Sequence, residues 1–227
     1  MNEPEALAQR YARRAVGDRY SAVRPEVWQT LQERQRTMLR LFQQLGINDV
    51  SQLQLTEVGC GTGGNLLELL RLGFAPERLT GIELLPERHA LARHVLPAAT
   101  QVWLGDAMQA PVAAQSQDIV LQATVFSSLL DDHFQAQLAN KMWHCLRPGG
   151  AVLWYDFTIN NPSNADVRGV PLKRVRELFP HARIQSHRIT LAPPLARAVC
   201  RVHPSLYSLF NLLPLLRTHL LAWIQKP

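Results

Sequence analysis

Cysteine is scarce in this chain: Cys60, Cys145 and Cys200 are the only three, they lie far apart, and no two form a CxxC pair. An odd, dispersed set excludes a disulfide framework and a cysteine-based zinc site, and points to a reducing compartment. Long apolar runs are also missing, since none reaches the roughly 18 uninterrupted residues that a membrane-spanning helix needs. The opening MNEPEALAQRYARR has no apolar h-region of the kind a secretory signal carries, so a cytoplasmic location is expected. The eight histidines are scattered, and His89 and His94 lie five apart rather than one helical turn apart, so no metal is expected. There is no internal repeat and no low-complexity tract. What remains is 47% hydrophobic and 19% charged over 227 residues, a composition for one globular domain with a buried core.

The formal net charge is +6, with arginine prominent near the start: Arg10, Arg13, Arg14, Arg19, Arg24, Arg34, Arg36 and Arg40. Such a set can serve an anionic partner, or it can be a solvated helix face. Asp18, Glu26 and Glu33 interleave with it at helical intervals, which favours the solvated face. Without an RNA-binding motif or aromatic-basic interleaving, nucleic acid is not an expected partner.

Periodicity divides the chain. Residues 5–16 and 25–45 read as helices, the second carrying Trp28, Leu31, Met38, Leu41, Phe42 and Leu45 at three-to-four spacing and ending at Gly46. Short buried strands then alternate with helices: strands at 53–58, 78–83, 100–105, 117–122 and 151–157, and a helix at 131–146 closed by RPGG. A helix over 171–179, a sixth strand over 181–192 and a seventh over 217–226, closing the sheet, follow. Residues 192–216, rich in leucine and broken by four prolines, are too long for a plain hairpin and read as a helical insertion. The rhythm predicts an α/β fold with a mostly parallel sheet and helices on both faces. Ligands of such sheets sit beyond the carboxyl ends of the strands, where strand order reverses.

The most informative stretch is Glu57-Val-Gly-Cys-Gly-Thr-Gly-Gly-Asn65, between a strand and a helix. Gly59, Gly61 and Gly64 satisfy GxGxxG, so the loop alone does not separate a nicotinamide or flavin cofactor from S-adenosylmethionine. Glu57, at the strand end, suits the cationic amino acid part of S-adenosylmethionine and would sit awkwardly beside a pyrophosphate. Glu83 ends the second strand, where an acid accepts from both ribose hydroxyls of either cofactor class. Asp106, after the third strand, can accept from an adenine amino group. Together these favour S-adenosylmethionine over a nicotinamide-dependent oxidoreductase, which would also need a hydride-transfer pair such as Tyr-x-x-x-Lys that the sequence lacks.

EVGCGTG, GIELLPER, GDAMQAP, DIVLQATVFSSL and LRPGG match, in order and spacing, the motifs of class I S-adenosylmethionine-dependent methyltransferases, which the chain resembles over residues 50–157. The resemblance implies a Rossmann-like seven-stranded sheet with an antiparallel last strand, and S-adenosylhomocysteine as product. It divides a single domain, 1–227, into an N-terminal helical cap (1–46), a cofactor-binding core (50–157) and an acceptor-side region (158–227). It further implies that Glu57, Gly59, Cys60, Gly61 and Gly63 line the methionine end of the cofactor. Glu83 would hold the ribose, Leu84 would pack on the adenine, Asp106 and Ala107 would meet its edge, and Gln122 would lie beside the sulfonium. An N-terminal helix often closes over the cofactor in this family, which makes Tyr11 and Tyr20 expected contacts.

Methyl transfer is an in-line displacement, so alignment supplies much of the acceleration and a base is needed only when the acceptor loses a proton early. The acceptor-side candidates are Tyr155 and Asp156 at the end of the fifth strand, His133 as a base, and Asn160, Asn161 and Arg168 in the loop beyond. Asn161-Pro162 and Ser163-Asn164 equally suit plain turns, and His133 a helix start. The YDF…NNP…VRG run more weakly resembles small bacterial methyltransferases of glycan and natural-product pathways. That suggests oxygen methylation of a small-molecule, sugar or lipid-linked acceptor roofed by 192–216. The leucines there, with Arg197, Arg201 and Arg217, can instead touch a membrane surface.

Overall fold

A computed structural model describes residues 2–13 and 21–227. Helix α1 (Glu3–Ala12) opens on Asn2, whose side chain accepts from the Glu5 N–H while the Glu5 carboxylate accepts from the Asn2 N–H, a reciprocal cap. Tyr20 lies outside the described residues. Helix α2 (Pro25–Gln44) follows, and then the sheet begins. Its elements are β1 (Leu55–Val58), α3 (Gly64–Arg71), β2 (Leu79–Glu83), α4 (Pro86–Val95), β3 (Gln101–Leu104), β4 (Gln117–Ala123), α5 (Asp132–Cys145) and β5 (Leu146–Phe157). After these come α6 (Leu172–Leu178), β6 (Arg183–Leu191), α7 (Pro193–Val202), α8 (Ser205–Asn211) and β7 (Arg217–Gln225).

The seven strands form one sheet in the order β3-β2-β1-β4-β5-β7-β6, parallel throughout except β7, which runs antiparallel to both neighbours. Because side chains alternate along a strand, the sheet builds two cores. Leu55, Leu153 and Leu221 pack against Phe42 of α2 and Leu66 and Leu69 of α3 on one face. Val58, Val152 and Trp154 meet Leu138 and Met142 of α5 and Val175 of α6 on the other. A third, smaller cluster joins Leu191 to Ala196, Val199 and Tyr207 of α7 and α8, so the expected helical insertion is present and folds onto the end of β6.

The last strand closes the sheet from the inside, lying between β5 and β6 and antiparallel to both. One boundary differs from the sequence reading. The LRPGG segment does not end a helix but already belongs to β5. Gly150 makes this possible: a Cβ there would stand 2.9 Å from the Asp118 carbonyl oxygen, and the β4–β5 register shifts at this point.

Candidate active site

Strand order reverses between β1 and β4, so the loops after these two strands part and leave a crevice at their carboxyl ends. The glycine loop forms one wall. Gly59 has φ +67°, and a Cβ on it would lie 2.6 Å from Val125 Cγ2 in the loop after β4, so only glycine lets the two walls approach this closely. Gly61, at φ +59°, has open space where its Cβ would be, the gap into which a ligand can move. The opposite wall turns at Thr124, a β-branched residue held at φ +59°, an unfavourable conformation of the kind that clusters at ligand sites.

Glu57 is completely buried beneath this loop. Its Oε1 accepts from Asn65 Nδ2 at 2.5 Å, whereas Oε2 is sealed from solvent with no partner. Arg34 of α2 donates to Asn65 Oδ1 at 2.7 Å and to Glu68 at 3.0 Å, so the guanidinium reaches Glu57 only through the asparagine. Burial pushes the Glu57 carboxyl up to about 8. An orphaned acid oxygen under a glycine loop fits the ammonium of a methionine moiety, which would supply both the missing donor and a compensating charge.

Glu83 is also buried, and its two oxygens accept from the Gly61 N–H at 2.8 Å and the Leu85 N–H at 2.9 Å. These bonds fix the glycine loop and leave each oxygen a lone pair for a ribose hydroxyl. Leu84 lies half-buried beside it, as do Asp106 and Ala107 after β3. Asp106 Oδ1 accepts from the Met108 N–H at 3.0 Å, closing a turn that carries it at the crevice. Gln122 is fully buried and committed to the backbone: Nε2 donates to the Tyr155 carbonyl and Oε1 accepts from the Val125 N–H. It shapes the turn after β4. Gly63, at φ +86°, caps α3. Burial lifts the Cys60 thiol far above the thiolate range, which removes any nucleophilic role.

Helix α1 lies across the crevice. Buried Arg10 donates to Glu3 Oε1 at 2.6 Å and to the Ser128 carbonyl at 3.0 Å, and the Leu130 N–H donates to the same Glu3 oxygen. Tyr11 places its hydroxyl 3.4 Å from Ser128 Oγ, with the Arg88 guanidinium 4.3 Å above its ring. The helix thereby bridges the loop after β4 and helix α4.

On the acceptor side, Tyr155 and Asp156 are neighbours on one strand and point to opposite faces. Tyr155 stacks on His219 of β7 at 5.1 Å, bonds Thr190 Oγ1 at 2.9 Å, and has the Arg34 guanidinium 5.1 Å from its ring centre. Burial pushes the Tyr155 phenol up to about 12 and the His219 imidazole down to about 4, which keeps both neutral near pH 7. Asp156 is sealed on the other face, accepting from the Ser127 N–H at 3.1 Å and the Phe157 N–H at 2.9 Å; burial raises it to about 7. His133 is exposed in the first turn of α5, where Asp131 caps its N–H. Asn160 and Asn161 accept from the Gly169 and Ser163 N–H groups, and Arg168 pairs with Asp132. These polar side chains are engaged in building the 158–170 loop.

Sequence reasoning missed Arg34, Asn65 and His219. Arg34 reads as one more cation of a solvated helix, and His219 as one of eight scattered histidines; only the fold brings either to Tyr155. Together with Met38 and Ala123, Arg34, Asn65 and Tyr155 line a cleft between α2 and the sheet. Among the described residues no group of His, Cys, Asp and Glu could hold a metal ion.

A model of the methyltransferase domain family matches residues 56–154. Among solved structures, the 1,6-didemethyltoxoflavin-N1-methyltransferase of Burkholderia thailandensis, with bound 1,6-didemethyltoxoflavin and S-adenosylhomocysteine, superposes with TM-score 0.65 at 15% identity, covering 100% of this chain and 92% of that one. An S-adenosylmethionine-dependent methyltransferase from Mesorhizobium loti does so with TM-score 0.59 at 15% identity, over 81% of this chain and 95% of that one. Phosphoethanolamine N-methyltransferase 2 of Haemonchus contortus, in complex with S-adenosyl-L-methionine, gives TM-score 0.59 at 14% identity over 85% of this chain and 53% of that one. No curated protein sequence matches the chain. Residues 56–154 thus match the methyltransferase-domain family, and the sheet has the seven-stranded fold of the solved S-adenosylmethionine-dependent methyltransferases.

Proposed function

We propose that this chain binds S-adenosylmethionine across the crevice between β1 and β4 and directs its methyl group to an oxygen of a small-molecule acceptor, a sugar or a lipid-linked compound, lying over the carboxyl ends of β4 and β5. The observation that carries the reading is the buried, unpartnered Oε2 of Glu57. A dinucleotide would bring a pyrophosphate to that oxygen; S-adenosylmethionine brings an ammonium. Glu83 takes the ribose, Leu84, Asp106 and Ala107 the adenine, and α1 with Tyr11 covers the cofactor.

When bound, the sulfonium supplies an electrophilic methyl carbon. The residues of this chain then have to place the acceptor in line with it and accept a proton from the attacking hydroxyl. Tyr155 walls the cleft beside Ala123 at the end of β4, with the neutral His219 imidazole stacked on its ring. Asp156 supports the loop after β4 through Ser127, and the 158–170 loop with Asn160, Asn161 and Arg168 borders the acceptor. His133, at the solvent-facing start of α5, is the candidate base. A lipid-linked acceptor further requires that this end of the sheet reach a bilayer surface.

Calorimetric titration with S-adenosylhomocysteine, NADH and a Glu83→Ala variant tests the cofactor assignment. Micromolar binding of S-adenosylhomocysteine, lost in the variant and absent for NADH, is expected. A well-folded protein that binds NADH in its place would return the site to the oxidoreductases.

A further inference from the structure

The cap formed by α7, α8 and the turn after them has two apolar faces, and the fold uses one. Ala196, Val199 and Tyr207 pack inward on Leu191. Outward, Val202 is 78% exposed, Leu209 58%, Leu212 70%, Leu213 56% and Leu215 86%. Five aliphatic side chains within fourteen residues make a contiguous stretch of a kind that water-facing surfaces seldom carry without a partner.

The position of this stretch matters. Strands β5 and β6 run in the same direction, both antiparallel to β7, so the segment joining β6 to β7 emerges at the end of the sheet that bears the glycine loop and Thr124. The N-terminal part of α2 lies there too, since Thr30 Oγ1 stands 3.2 Å from the Tyr207 hydroxyl, and Trp28 beside it is 48% exposed.

The net charge of the chain is carried by its last 50 residues, although Arg183 and Lys226 stand at the end of the sheet opposite the cap. No aspartate or glutamate follows Glu177, whereas Arg183, Arg188, Arg197, Arg201, Arg217 and Lys226 do. These six cations equal the net charge of the entire chain, so residues 1–177 carry equal numbers of each sign. Arg197 and Arg201 flank the leucines on α7, and among the described residues neither has an ion-pair partner.

We infer that this rim is a docking surface for a bilayer containing acidic phospholipids, with the leucines entering the interface and Arg197 and Arg201 meeting the headgroups. A second copy of the chain fits poorly, because a two-fold contact would press like charges together. Among the described residues no helix is long and apolar enough to cross a membrane, so the contact is superficial. The consequence for the acceptor rests on the function proposed above: docking would open the cleft toward lipid-borne molecules.

Vesicle flotation tests this on the full chain, with phosphatidylcholine vesicles and with vesicles that also contain phosphatidylglycerol. Wild type should float with the acidic vesicles only, and less so in high salt. Leu212→Ser with Leu215→Ser should weaken binding by about tenfold for each leucine. Arg197→Gln with Arg201→Gln should weaken it by about fivefold for each arginine. S-adenosylhomocysteine binding, measured on the same proteins, should be unchanged. Wild type that stays with the unbound fraction, or a leucine variant that floats as well as wild type, overturns the inference. So does self-association in ultracentrifugation that the leucine variant abolishes, which would assign the face to a second copy. Vesicle binding without S-adenosylhomocysteine binding would leave the docking surface standing and remove the methyl-transfer reading.

Discussion

Asn65 donates to Glu57 across 2.5 Å from the first turn of α3, and in doing so satisfies one carboxylate oxygen and leaves the other bare. The asparagine is itself held by Arg34, so the acid is oriented by a cation that does not touch it. A geometry of this kind keeps Oε2 available for a charged donor.

Glu57→Gln retains the shape and removes the charge that an ammonium would meet. Affinity for S-adenosylhomocysteine should fall by about ten- to a hundredfold, the range for losing one charge-assisted bond. Asn65→Ala should fall less, because the carboxyl that the ammonium would meet is retained. Calorimetry on both variants measures the difference, and equal losses would count against a direct role for Oε2.

Gly59→Ala should be far more damaging than Gly64→Ala. At position 59 a Cβ meets Val125 at 2.6 Å in a left-handed backbone, whereas at 64 nothing lies within 4 Å. The first substitution should cost about 1–3 kcal/mol in denaturant titration and abolish cofactor binding. The second should leave both nearly unchanged.

Stability of the ligand-free protein should depend on pH in two opposed ways. The Glu57 carboxyl, raised from 4.5 to about 8, and Asp156, raised from 3.8 to about 7, hold protons in the folded state that the unfolded chain has already released. Their contribution is therefore lost as pH rises through these windows. The His219 imidazole, lowered from 6.5 to about 4, acts in reverse: the unfolded chain binds its proton first, and stability is lost as pH falls from 6.5 towards 4. Thermal midpoints across this range should show His219→Gln flattening the acid limb. Glu57→Gln should flatten the alkaline one, as should saturating cofactor in wild type. An alkaline limb that neither changes would show that Glu57 is not the buried acid titrating there.

Much of the architecture was legible because it is written locally. The buried strands read as short apolar runs, the glycine loop and the acids after β1, β2 and β3 fall at fixed spacings, and the prolines of 192–216 mark the cap. The opposition of Tyr155 and Asp156 was also available, since adjacent strand residues always face apart. What could not be read is set by pairing between distant segments. Nothing near Arg217 announces that its strand enters between β5 and β6. Arg34, Tyr155 and His219 come from three separate elements and meet only once the sheet is assembled. Asn160 and Asn161 carry side chains equally suited to a ligand or to a turn, and in the folded chain each Oδ1 accepts from a backbone N–H of its own loop.

The interior place of β7 bears on how the chain reaches this state. Until residues 217–225 are available, β5 presents an unpaired edge and β6 has no strand partner in the sheet. The last strand in the sequence is thus the one that closes the seam between a five-stranded sheet and β6. A growing chain has every other strand in hand before that seam can close, so the interval before β7 arrives is when its exposed edges are most open to pairing with another molecule.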